Sequence, residues 1–281
     1  MEKYLVIGDP IGHSCSPGMQ NAAFEALGMG RPYGIRHVTP DELPAFFEFA
    51  AKNLRGVNLT VPHKLRAAEL SDELTDRAAV CRSVNTLIIA DGRITGDSTD
   101  GVGLEEALKY CFNETLTGKR VLFCGAGGAA RATAVHLAGC GVREVSFINR
   151  TLSRAEELSD LCRRYYPEVE SFCSVPEDEK TVAELMENAD FLIQATSVGL
   201  KPDDPPALAE KFFHPGMKVK IFDTIYHPTG LQKIAEKKGI SFANGKEMLI
   251  RQGAASFEQW TGVKPDLDAM RRGFDEGVPG K

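Results

Sequence analysis

Apolar residues along the chain fall into short continuous runs separated by stretches with helical spacing. YLVIG (4–8) predicts a buried strand, and SPGMQNAAFEAL (16–27) predicts a helix with Ser16 as N-cap and Pro17 at its first position. YGIRHV followed by TPDELPAFFEFAAKN repeats the strand–helix step, as does GVNLTV followed by HKLRAAEL. In GVNLTV the alternation places Asn58 and Thr60 on one face and directs Val57, Leu59 and Val61 to a core. Pro62 is expected to end that strand, leaving Lys64 in the first turn of the next helix. Such alternation marks an α/β fold with a mainly parallel sheet.

The pattern changes at SVNTLIIADGRITGD (83–97), where two short β runs flank Asp91-Gly92, a hairpin signal. A helix beginning near Gly101 follows, with Asp100 as a candidate N-cap. A second α/β series then starts, with strands expected near 120–124, 143–148, 190–194 and 218–222. A domain boundary is therefore placed close to residue 101. Helical patterns at GKEMLIRQGAASFEQW and PDLDAMRRGF end the series without a following strand, so both helices are expected to close back over the first domain. KPDDPPALAE (201–210) reads as a surface loop.

Composition narrows the classes of function. With 281 residues, 43% hydrophobic and 26% charged, the chain suits two domains with cores. A net charge of -6 and the lack of a basic block argue against nucleic acid as partner. No signal peptide and no membrane-spanning run is expected. Seven scattered cysteines without a C-x-x-C pair predict reduced thiols in a cytoplasm and no metal site. Cys124 and Cys140 are expected to act as small hydrophobes.

The sharpest chemical signal is G-x-G-x-x-A, formed by Gly125, Ala126, Gly127, Gly128, Ala129 and Ala130 between an apolar strand and a helix. Glycines there allow a tight turn and close approach of backbone to a pyrophosphate, whose charge meets the helix N-terminus. An NAD-binding unit would carry Asp or Glu at the end of the next strand. This chain has Asn149-Arg150-Thr151 there, with Arg154 a turn later. Two guanidinium groups suit a 2′-phosphate, so the cofactor expected is NADP. Ser14 and Ser16, entering a helix, offer hydroxyls and free N–H groups for a small carboxylate.

The motifs GDPIGHSCSP, GVNLTVPHK, VNTL, GDSTDGVG, GAGGAARA, NRT, ATSVG, DTIYHPTGL and GKEMLIRQGAASFEQWTG resemble, in order, those of the shikimate dehydrogenase family, from about residue 5 to residue 262. The resemblance implies two α/β domains around a cleft. The N-terminal substrate domain would span 1–101, completed by helices from 243–281, and a Rossmann-type NADP-binding domain would span 102–242. It implies reversible NADPH-dependent reduction of 3-dehydroshikimate to shikimate, in aromatic amino acid biosynthesis, by a monomer or homodimer. Ser14 and Ser16 would bind the substrate carboxylate, and Asn58, Thr60, Asn85, Tyr226 and Gln252 its ring hydroxyls. Lys64 and Asp100 would form the catalytic pair. Thr196, Ser197, Thr224, Gly245 and Met248 would line the nicotinamide end of the cofactor, with Asp76 also touching it.

The chain departs from the family pattern at Cys15, Gln20, Arg82-Ser83, Ser98 and Gln194. None of these supplies a group assigned to proton or hydride transfer. They leave quinate or an amino-sugar acid open as substrate, alongside a ligand sensor without catalysis. Retention of both Lys64 and Asp100 argues against the sensor.

Overall fold

A computed structural model describes residues 3–12, 14–201 and 203–277. His13 of the first motif, Pro202 of the surface loop and the last four residues of the C-terminal segment lie outside them. The chain divides into two compact units, Met1–Gly103 with Leu249–Lys281, and Leu104–Met248.

The first unit opens with β1 (Tyr4–Gly8), α1 (Ser16–Ala26), β2 (Tyr33–His37), α2 (Leu43–Asn53), β3 (Gly56–Leu59) and α3 (Lys64–Leu70). It continues through β4 (Glu73–Leu74), α4 (Asp76–Cys81), β5 (Thr86–Ala90) and β6 (Arg93–Asp97) into α5 (Asp100–Phe112). Its sheet runs β2-β1-β3-β5-β6-β4. β1 pairs in parallel with β2 and β3, whereas β5 is antiparallel to both β3 and β6. The expected hairpin is present. Asp91 and Gly92 form its two-residue loop with φ of 51° and 77°, the conformation that suits the twist of paired strands.

Three local expectations need correction. β3 stops at Leu59, so Thr60 lies beyond the strand and Val61 turns outward at 68% exposure, while Val57 and Leu59 are buried as expected. The peptide N–H of Thr60 still reaches Ile7 O, but the chain then turns through 61–63. Ser16 is not the N-cap of α1: Cys15 holds that position in an αR conformation, and Ser16 is already helical. The Ser14 hydroxyl instead accepts the Ser16 N–H at 3.2 Å. Asp100, similarly, is the first residue of α5 rather than the residue before it.

The second unit contains β7 (Arg120–Cys124), α6 (Gly128–Ala138), β8 (Glu144–Ile148), α7 (Leu152–Tyr165), β9 (Cys173–Ser174) and α8 (Glu179–Asn188). β10 (Phe191–Gln194), β11 (Lys220–Asp223), α9 (Gly230–Lys238) and β12 (Phe242–Asn244) complete its layers. All its strand pairs are parallel, in the order β12-β11-β10-β7-β8-β9. Counted from β7 this is 3-2-1-4-5-6, the doubly wound dinucleotide-binding order. Its core includes Leu122, Leu192 and Ile221 from the sheet, with Val182, Met186 and Ala235 from the covering helices. In the 201–210 loop Leu208 is buried and most of the other described residues are at least partly exposed. Among the described residues no helix is long and apolar enough to cross a membrane.

α10 (Lys246–Thr261) and α11 (Leu267–Gly277) follow. From Leu249 onward they belong to the first unit. Phe257 meets Phe24 at 4.6 Å between centroids, and Trp260 meets Tyr4 at 5.2 Å. The Trp260 indole N–H donates to Leu87 O at 2.9 Å. Each such aromatic pair adds about 0.5–1.5 kcal/mol beyond the burial of its area. α11 crosses α1 at Gly18 and Gly273, where a Cβ on Gly18 would stand 2.3 Å from the Gly273 carbonyl oxygen. Only glycine permits that approach.

Candidate functional site

Of the polar residues singled out by sequence in the first unit, Lys64, Asp100, Asn85, Gln252 and Asn58 form one hydrogen-bonded group at the ends of β3 and β6 and the starts of α3 and α5. The Lys64 ammonium donates to Asp100 Oδ2 at 2.6 Å, with side-chain exposures of 15% and 7%. Both sit at helix starts, where chain direction brings the two together across the sheet end. The other Asp100 oxygen accepts from Asn85 Nδ2 at 2.8 Å. The Asn85 amide also reaches Thr99 Oγ1 at 2.9 Å and Gln252 Oε1 at 3.1 Å, so two hydrogens serve three acceptors. Asn85 Oδ1 accepts the Thr99 N–H at 2.8 Å. Asn85 therefore fixes Asp100, and Asp100 fixes Lys64.

Asn58 stands behind this group, 5% exposed. Its Oδ1 accepts the Tyr33 hydroxyl at 2.7 Å, and its Nδ2 reaches Ser256 Oγ at 3.0 Å and Asn85 O at 3.3 Å. Ser14 and Thr60 are partly exposed and Ser16 is buried. Asp76 lies in the first turn of α4, on the surface.

Several supporting residues escaped the sequence reading. Ser256 is fully buried, and its hydroxyl meets Thr86 Oγ1 at 2.7 Å, Gln252 O at 3.1 Å and Thr99 Oγ1 at 3.3 Å. His63, 1% exposed, anchors the start of α3 through its Nε2 against Val38 O at 2.8 Å. Asp97 accepts the Arg77 Nε–H at 2.7 Å and bonds to the Thr75 hydroxyl. Burial works to raise its pKa, but Arg77 and Thr75 outweigh burial and hold the carboxyl below its ordinary range. His63, Asp97 and Ser256 lie within the motifs, but nothing local gives them a role; the register of β5 against β6 is what brings Thr86 opposite Asp97.

The second unit carries the glycine loop at the switch point between β7 and β10. Gly125 has φ of +111°, and a Cβ there would stand 2.9 Å from Ala195 O. Gly127 ends the loop in an extended conformation as the cap of α6, where Gly128 begins the helix. A Cβ on either of these two would meet nothing within 4 Å. Free amides at a helix N-terminus beside open space fit a pyrophosphate. Ala126 and Ala129 are half-buried beside them, and Ala130 is buried.

At the end of β8, Asn149 Nδ2 donates to Thr151 O at 2.8 Å, and Thr151 caps α7. Arg150 and Arg154 are exposed, and neither has an ion-pair partner among the described residues. That leaves two guanidinium groups free for a 2′-phosphate, so the residues present fit NADP.

The segment after β10 is shaped by Gln194, whose Oε1 accepts the Thr196 N–H at 2.6 Å and whose Nε2 donates to Val198 O at 2.8 Å. It holds Thr196 half-buried and Ser197 exposed. Asp223 does the same after β11, accepting from Thr229 Oγ1 at 2.6 Å and from Ile225 N at 3.0 Å. Burial raises the Asp223 pKa, against the opposing effect of those bonds. Thr224 and Tyr226 lie partly exposed on this loop, and Gly245 packs against the Thr224 carbonyl with Met248 buried nearby in sequence.

Cys124 is buried as expected, its thiol pushed up to about 12 by burial and Asp223. Cys140 departs from expectation: it is only half-buried and lies beside Glu105 and His136.

A doubly wound unit with a glycine loop and a basic strand end, joined to a unit bearing a held lysine–carboxylate pair, defines the class of α/β dinucleotide-dependent oxidoreductases. The family profile for the shikimate dehydrogenase substrate binding domain matches residues 6–87, that for shikimate / quinate 5-dehydrogenase residues 106–200, and that for the shikimate 5'-dehydrogenase C-terminal domain residues 245–272. The shikimate dehydrogenase (NADP(+)) of Geobacillus kaustophilus is 39% identical over 277 residues, 97% of each chain. The shikimate 5-dehydrogenase of Thermus thermophilus, solved with NADP(H) and shikimate, superposes with a TM-score of 0.86 at 33% identity, covering 99% of this chain and 100% of that one. Quinate dehydrogenase from Corynebacterium glutamicum, solved with NAD, gives 0.87 at 25% identity, covering 98% and 99%. The chain belongs to the shikimate dehydrogenase family.

Proposed function

We propose that the chain catalyses the reversible NADP-dependent reduction of 3-dehydroshikimate to shikimate. The observation that carries this reading is the Lys64–Asp100 pair at 2.6 Å, held from behind by Asn85. When bound, the reduced cofactor supplies a hydride to the ring ketone. The alkoxide so formed needs a proton, and Lys64 Nζ donates it; in the oxidative direction the neutral amine accepts it. An ammonium has three N–H groups, and Asp100 engages one, which leaves two for the substrate oxygen and its neighbour. Ser14 and Ser16 bind the carboxylate. Thr60, Asn85 and Gln252 bind ring hydroxyls, while Asn58 acts mainly as the support of Asn85.

Arg150 and Arg154 select the phosphorylated cofactor. The free state of all seven cysteines suits a reducing cytoplasm. The test is steady-state oxidation of shikimate and quinate with NADP and NAD separately, for the parent and Lys64→Ala. The expected outcome is highest kcat/KM with shikimate and NADP, and a fall in kcat of about 10²–10⁴-fold in the variant with little change in KM. Unchanged turnover in Lys64→Ala sinks the mechanism, and preference for quinate with NAD sinks the specificity.

A further inference from the structure

We propose that Glu105, His136 and Cys140 form a binding site for one zinc-class divalent ion. The three residues lie in the second unit and take no part in the substrate or cofactor assignments. Glu105 is on α5, His136 is in the last turn of α6, and Cys140 follows four residues later. Their ligand atoms all lie within 4.8 Å of one another. His136 Nε2 is 2.7 Å from Glu105 Oε2, and the Cys140 thiol lies 3.3 Å from the His136 carbonyl oxygen. The His136 and Glu105 side chains are 22% and 21% exposed, sheltered yet open to an entering ion.

The donor set decides the class of metal. Imidazole and thiolate favour zinc and its neighbours over magnesium or calcium, which prefer oxygen. With Zn–N and Zn–O near 2.0 Å and Zn–S near 2.3 Å, tetrahedral edges are about 3.3–3.5 Å. The His–Glu pair must therefore open by about half an ångström, and the thiol, within 4.8 Å of both, need move by no more than about 1.3 Å. Side-chain rotation provides both movements. Binding exchanges the His–Glu contact for two metal bonds; the Cys140 S–H bond breaks, its proton leaves to solvent, and an S–metal bond forms. Water completes the fourth position.

Lys109 supplies the outer contact, donating from Nζ to Glu105 Oε1 at 2.7 Å and leaving Oε2 toward His136. Its charge also opposes that of the ion. A His–Glu contact alone is an ordinary ion pair; the thiol at the third corner is what makes the cluster a chelate. An ion held there clips α5 to the C-terminal end of α6.

The full-length protein, stripped with chelator and kept reduced, is titrated with cobalt(II) as a spectroscopic stand-in for zinc. One equivalent is expected to give the visible bands of tetrahedral cobalt and a thiolate charge-transfer band, both abolished by one equivalent of zinc. Cys140→Ser should lose the charge-transfer band, and Cys173→Ser should keep it. His136→Gln and Glu105→Gln should each weaken cobalt affinity about tenfold or more, and Lys109→Met should strengthen it. Since these variants keep all their thiols, they test the site even if Cys140→Ser fails to fold. No band at one equivalent, a band surviving in Cys140→Ser, or unaltered affinity in His136→Gln overturns the proposal.

Discussion

Replacing Arg77 with alanine leaves the Asp97 carboxylate buried without its counter-charge. The Asp97 side chain has no exposed surface and is held by two guanidinium N–H groups and the Thr75 hydroxyl. Breaking a buried pair by removing one partner costs about 3–5 kcal/mol. Arg77 keeps 39% of its side chain exposed, so water screens part of the attraction and the low end, about 3 kcal/mol, is expected. The folded pKa of Asp97 lies below its unfolded value. Its stabilising contribution is therefore present above the unfolded pKa of about 3.9 and is lost as pH falls through the lower, folded one. The stability gap between parent and variant should be full near neutrality and should close in acid. Urea unfolding at a series of pH values, followed through the single tryptophan, Trp260, reads this directly. A gap under about 1 kcal/mol at neutral pH, the range of exposed pairs, refutes the reasoning. So does a gap that widens in acid.

Ser256→Ala removes a fully buried hydroxyl from among Asn58, Thr86 and Thr99. It is expected to cost about 1–3 kcal/mol in the same unfolding assay and to lower kcat/KM for shikimate, because Asn85 loses support; a silent variant contradicts the network. Arg82, at the C-cap of α4, has φ of 50° and ψ of 41°, a left-handed conformation that glycine adopts without strain. Arg82→Gly should therefore raise stability by about 1 kcal/mol, and a loss in urea unfolding would show that the arginine side chain contributes more than its backbone costs.

The elements that were legible in the sequence have strong local causes. The Asp91-Gly92 turn needs two positive φ values, and those residues tolerate them. The stretch from β7 through the glycine loop into α6 carries its signal within a dozen residues, as does Lys64 at the start of α3. Short pieces such as β4, β9 and β12 have two or three residues each, too few for any periodicity to register. Val61 reads as a core position by alternation, but the strand has already ended at Leu59 and the backbone turn rotates it outward. Thr86, Thr99 and Ser256 look like ordinary small polar residues until β5 and α10 bring them together. Glu105 and His136 are 31 positions apart, and Cys140 reads as one more hydrophobe. Long-range pairing, not local pattern, defines those groups.

The return of α10 and α11 to the first unit has a consequence for the order in which the protein is made. The nucleotide-binding unit is one uninterrupted segment, complete once Met248 has left the ribosome. The unit that begins the chain waits longer, because Phe257 and Trp260, which cover Phe24 and Tyr4, are synthesised after all of the other unit. Domains usually mature from the N-terminus onward during synthesis. Here the unit translated second can finish folding first, and the unit translated first spends that interval with an aromatic face uncovered.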